Sequence, residues 1–193
     1  MSFNKNQQKM ATIDILIVID ANSIVQDVNK GSLGSGSAIA PQQLGAWGQS
    51  DAYIYMIADG AYVVSNQGKS ELSIQCNVND TIRWTITNPS AGLYYNCMLY
   101  GFTSSVNGGI GTYITAPVVN TTAATSYYNN PLSVTTPDPT AYMLSAWSST
   151  ALAETSSLGN NGALQYNCQF QVIDTGSGTV VGYFEWDPFI VIN

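Results

Sequence analysis

Histidine is absent from this 193-residue chain, and charge of either sign is scarce. Five Lys and Arg and twelve Asp and Glu make up only 9% of it, against roughly 25% in an ordinary soluble domain. Without an imidazole, general bases and metal ligands are limited to carboxylates, thiols and amines. The five cations (Lys5, Lys9, Lys30, Lys69 and Arg83) are scattered. No basic patch exists to neutralise phosphates, which disfavours nucleic-acid binding, and no such partner is expected. Long apolar runs are missing too, so no membrane span is expected. Lys5 and Lys9 precede the apolar run Ile13–Ile19, but Asp14 interrupts it and Asp20 ends it. No small-residue cleavage site follows, and the expected compartment is the cytoplasm.

Cysteine is sparse and odd in number. Cys76, Cys97 and Cys168 lie far apart, each in phase with apolar neighbours in a strand-like segment. They read as buried free thiols rather than disulfides or a zinc site. Neither metal nor cofactor is expected.

What replaces charge is short uncharged polarity. Ser, Thr, Asn and Gln supply about a third of the chain. Such a surface lacks two brakes on self-association: like-charge repulsion, and the entropy cost of immobilising long Lys and Glu side chains. Net charge is −7.

The dominant pattern has period two. Residues 1–11 are polar and patternless and read as a tail before one domain over 12–193. Ile13, Ile15, Ile17 and Ile19 mark a strand, with Leu16 and Val18 suggesting burial on both faces at its centre. Leu72, Ile74, Cys76 and Val78, then Ile82, Trp84 and Ile86, flank an Asn79-Asp80 turn, so residues 71–87 read as a hairpin. Leu164, Tyr166, Cys168, Phe170 and Val172 form another strand, returning over 179–186. Shorter strands fall at 53–59, 93–102, 113–116 and 142–148. No helical stripe is long enough to assign, beyond turns near 41–47 or 151–157. Residues 29–50 and 118–140 read as long polar loops. The expected fold is an all-β, single-domain antiparallel β-sandwich with long polar loops.

Motifs for chemistry are few. No G-x-S-x-G elbow is present, and Gly108-Gly109-Ile110-Gly111 lacks the Lys and helix of a phosphate loop. Carboxylates for glycoside hydrolysis would come from Asp59, Glu71, Glu185 and Asp187. Glu185 and Asp187, two apart at a strand end, fit a solvated strand terminus better, with Asp187 preparing the turn before Pro188. Among the twelve Tyr and four Trp, Trp84, Trp147 and Trp186 fit strand patterns and belong to the core. Trp47 and the segment Tyr127-Tyr128-Asn129-Asn130 are the candidates for contact. They suit stacking on a glycan or packing against protein.

Two segments carry a family resemblance. The opening Ile13-Asp14-Ile15-Leu16-Ile17-Val18-Ile19-Asp20 and the closing Gly182-Tyr183-Phe184-Glu185-Trp186-Asp187-Pro188-Phe189-Ile190 resemble the PixA/AidA family of bacterial inclusion-body proteins. So do Gly68–Leu72 with Val78–Ile82, and Tyr55–Ala58 before Gly60. The resemblance implies a cytoplasmic, non-enzymatic protein that associates with itself, or with a paralogous inclusion protein, in crystalline inclusions of structural or storage use. It brings no catalytic residues. Five Met do not suit the methionine-rich composition described for some members. Physically, Gly182, Tyr183, Trp186, Asp187 and Pro188 read as fold determinants. The alternative function is a carbohydrate-binding, lectin-like sandwich.

Overall fold

The computed structural model describes residues 10–45, 48–106, 108–130 and 133–193. The chain opens with β1 (Thr12–Ile19), a helix α1 (Ala21–Asn29), β2 (Gln42–Gln43), β3 (Ile54–Ala58) and β4 (Val63–Ser65). It continues through β5 (Ser73–Cys76), β6 (Thr81–Thr87) and β7 (Tyr95–Ser104) to the long pair β8 (Val118–Asn130) and β9 (Ser133–Thr150). β10 (Leu164–Asp174), β11 (Val180–Trp186) and β12 (Phe189–Ile192) complete it.

Two sheets pack face to face. One is ordered β3, β1, β6, β9, β8; the other runs β2, β11, β10, β12, β5, β4, with β7 on the far side of β10. The architecture is the expected all-β sandwich. The sheets are mixed rather than purely antiparallel, because β1 runs parallel to β6, β12 to β5 and β11 to β2.

The alternating residues explain the layering. β1 turns Ile13, Ile15, Ile17 and Ile19 inward, and β10 turns Leu164, Tyr166, Cys168, Phe170 and Val172 against them. Each such side chain contributes roughly 1.5–3 kcal/mol by leaving water. Trp84 and Trp186 are fully buried, while Trp147 is half-buried with its ring centroid 5.5 Å from that of Phe102. Inside this apolar layer Trp84 Nε1 donates to the Tyr166 hydroxyl at 3.0 Å, which satisfies both polar atoms. The three cysteines are free and buried. Burial pushes the Cys76 and Cys97 thiols up to about 12, so at neutral pH they behave as apolar side chains.

Several sequence expectations are corrected. β1 is buried on one face only, and its outward Leu16 sits exposed opposite Ile57 of β3. Residues 71–87 are not a hairpin, since β5 and β6 belong to different sheets. The turn at Asn79 is real (φ 77°), but the buried Asp80 directs the chain across the sandwich. Its Oδ1 accepts from Ala11 N–H at 2.7 Å and its Oδ2 from Asn77 N–H at 2.9 Å. Ala11, read as tail, is thus tied to the sandwich, and its carbonyl also accepts from Thr81 N–H. Residues 113–116 form only isolated bridges at Ile114. The helix α1 has no counterpart among the elements expected from the sequence. Asp20 caps it by accepting from Ser23 N–H at 3.0 Å, and Ile24 and Val25 anchor it to the core. Finally, 118–130 and 133–140 are not loop: they belong to the paired strands β8 and β9.

Candidate self-association surface

The closing motif sits where the second sheet bends. A Cβ on Gly182 would lie 2.6 Å from Phe184 Cζ and 2.7 Å from the Ser35 carbonyl oxygen, so only glycine lets the 30–41 segment cross β11. That crossing is fastened by Tyr183 N–H donating to Ser35 O at 2.7 Å. Tyr183 meets Tyr100 edge-on, with centroids 5.6 Å apart. Trp186 packs edge-on against Phe170 at 5.5 Å, and its Nε1 donates to Met56 Sδ at 3.2 Å, bridging the two sheets. Pro188 is buried, and its carbonyl accepts from Tyr166 N–H.

Asp187 is half-buried beside a cleft of about 580 Å³ on the outer face of the second sheet, lined also by Glu71, Asn66, Gln165, Phe189 and Val191. Gln165 Nε2 donates to Asp187 Oδ2, whereas Oδ1 is buried with no partner among the described residues. Burial, and then the nearby Glu71 charge, raise the Asp187 carboxyl above its ordinary value. The carboxylate pairing considered from sequence is therefore rearranged. Glu71, brought in by the turn before β5, acts more strongly on Asp187 than does Glu185, whose carboxylate accepts from Gln169 Nε2 at 3.0 Å. Sequence separation hid the Glu71 neighbour. Asp59 sits elsewhere, at the end of β3, accepting from Ala61 N–H.

The aromatic contact candidates are not brought together. Trp47 lies outside the described residues. Its neighbour Gly48 donates to Glu71 Oε1 at 2.9 Å and opens the turn into β3. Tyr127, Tyr128, Asn129 and Asn130 lie at the distal end of β8, at the opposite edge of the first sheet. There Tyr127 is registered with Pro139 and Tyr128 with Asp138.

The ribbon itself is unusual. β9 pairs with β6 only from Trp147 to Thr150, while β8 pairs with β9 from Val118 to Asn130. Most of the ribbon thus extends beyond the sandwich. Consecutive residues 118–123 are all exposed, so neither face of β8 is covered there. Val118 is 56% exposed, Val119 53% and, on β9, Met143 63%.

Other edges are guarded. β3 is covered by its own chain, with Gly68 N–H donating to Met56 O at 2.8 Å and Met56 N–H to Lys69 O at 3.3 Å. The Gln67 side-chain amide completes the mimicry, donating to Ala58 O and accepting from Ala58 N–H. β7 is bent by a bulge opposite Gln169 and Phe170, and β2 and β4 are two and three residues long. Bulges, coverings and short strands are the usual defences of a sheet edge. β8 has thirteen residues and keeps a regular register as far as Tyr128.

These features define an all-β sandwich protein with one long projecting ribbon. The chain belongs to the PixA family of inclusion body proteins, whose model matches residues 11–192. Among solved structures, the crystal structure of a PixA inclusion body protein from Burkholderia cenocepacia J2315 is similar at a TM-score of 0.67. It is 20% identical, and the match covers 97% of this chain and 99% of that one, so the two share a fold. No curated protein matches the chain. The comparisons lend no support to the carbohydrate-binding alternative.

Proposed function

We propose that this protein is a non-enzymatic, self-associating protein that accumulates as cytoplasmic inclusions with a structural or storage role. The observation that carries the reading is that the described surface presents no unpaired cation. Every Lys and Arg among the described residues is paired: Lys30 with Asp27 at 3.5 Å, Lys69 with Asp51 at 3.6 Å, and Arg83 with Asp14. Solvated cationic side chains normally hold protein surfaces apart through their hydration and rotamer entropy. Here that layer is replaced by Ser, Thr, Asn and exposed apolar groups, which order on contact at small cost. Membership of the inclusion body family agrees with the reading.

The test is expression of the untagged chain in a bacterial host, with electron microscopy of the cells and light scattering of the purified protein. Dense bodies in the cytoplasm and concentration-dependent growth in solution are expected. A chain that stays dispersed in cells and monomeric when concentrated sinks the proposal.

A further inference from the structure

We infer that the outer edge of β8 is the self-association surface, and that its occupant is β8 of a second copy, laid antiparallel across a twofold axis. The inference rests on the self-association reading and adds where and how the copies meet.

Three observations converge. Among the described residues nothing pairs with the outer backbone groups of β8, a row of thirteen residues spanning roughly 40 Å at about 3.3 Å per residue. An unguarded edge of that length is a template for another strand. Next, a two-stranded ribbon is marginally stable in water by itself, and the β8 strand of this one is exposed on both faces along 118–123. Pairing β8 with its copy converts two such ribbons into a four-stranded sheet, β9–β8–β8–β9, with each β8 flanked on both sides.

The occupant follows from the sequence of the edge. Val118-Val119-Asn120-Thr121-Thr122-Ala123-Ala124-Thr125-Ser126-Tyr127-Tyr128-Asn129-Asn130 contains no charge and no proline. Laid against itself it opposes no like charges, and without proline each N–H on its outward side, alternate along the strand, can donate. Its Val, Thr and Tyr content suits a pleated surface. The free side of β9 is different, since Pro137, Asp138 and Pro139 interrupt it in the manner of a protected edge. With β3 covered, β7 bulged and the other edges two or three residues long, the long open edge one copy can offer another is β8. Antiparallel pairing makes the contact isologous and closes it.

The experiment has two arms. In the first, Thr121→Lys with Ala123→Lys places cations on exposed positions of one face of the ribbon, away from the core. Sedimentation equilibrium should show association weakened roughly tenfold or more, because like charges oppose one another in a strand pair. The thermal midpoint should stay at the wild-type value. In the second, Thr121→Cys, Ala123→Cys and Thr125→Cys are made singly and exposed to a mild oxidant, the three native thiols being buried. Crosslinked dimer should be strongest at one position and fall away from it, as a twofold axis requires. This arm decides the matter if the lysine variant fails to fold. Undiminished association of a folded lysine variant overturns the edge pairing, as do absent or position-independent crosslinks in an associating protein. Either result leaves self-association standing. A wild-type chain that is monomeric at every concentration overturns both.

Discussion

Asp187 shows at the scale of one residue how the closing motif balances packing against charge. It follows Trp186, whose indole fills the space between the sheets, and precedes Pro188, which turns the chain into β12. Its carboxyl is raised by burial and by Glu71, with a smaller push from Glu185. A group titrating higher in the folded chain than in the unfolded one stabilises the fold while protonated. That contribution is lost as pH rises from the ordinary carboxylate value through the raised one. Asp27 and Asp174 have the opposite sign. The Tyr53 hydroxyl bonded to Asp27, and the Ser177 N–H bonded to Asp174, lower their carboxyls, and their contribution fades on acidification below the ordinary value. Asp187→Asn should therefore flatten the stability profile between the ordinary carboxylate value and neutrality, leaving the acid limb unchanged. Thermal midpoints of both proteins across that range check it. Parallel profiles would show that Asp187 does not titrate as its surroundings dictate.

Among elements, the crossing between β5 and β6 matters most, because one buried carboxylate organises it. Asp80 receives the Ala11 and Asn77 amides, and the neighbouring Asn79 N–H donates to Ala151 O at 2.8 Å. Asp80→Ala leaves buried amide donors without an acceptor and should cost roughly 2–4 kcal/mol. Urea denaturation measures it, and a loss below about 0.5 kcal/mol, the range of neutral surface changes, would remove Asp80 from this role. The same crossing marks the limit of what period-two patterning reveals. The strands at 13–19, 164–172 and 180–186 were legible because one face of each is buried and the other is wet. Residues 71–87 showed the same alternation and a genuine turn. Whether the second strand pairs with the first or joins the opposite sheet depends on where Asp80 finds its donors, which lie up to 69 residues away. α1 escaped notice because nine residues carrying three buried side chains leave little helical period to detect. Residues 142–148 of β9 read as a strand, but β8 and the start of β9 escape for a cleaner reason. Alternation records burial on one face, and β8, exposed on both faces along 118–123, has none to record there, so its Thr and Asn, with the prolines of β9, read as loop. The Gly182–Pro188 block was legible, but the cleft neighbour Glu71 was not, since nothing local links it to Asp187.

For the whole molecule, low charge sets the response to solution conditions. A net charge of −7 at pH 7 and a pI near 4.1 leave a modest mutual repulsion as the main long-range force between copies. Acidification toward the pI should lower the concentration at which association begins, and added salt at neutral pH should act weakly in the same direction by screening. Light scattering against pH and ionic strength checks both. Assemblies that dissolve on adding salt would instead be held by opposite charges, contrary to a contact made of uncharged strands. The covered edge at β3 then acquires a meaning beyond protection. Gln67 occupies with its own amide the place another strand would take, so the first sheet can be extended from one side only. Each copy therefore has a valence of one along the strand-pairing direction, and a twofold contact uses it up. Growth by this route counts to two and halts. A crystalline body needs a second kind of contact on a different face, so pair formation and lattice growth become separate steps that can be altered one at a time.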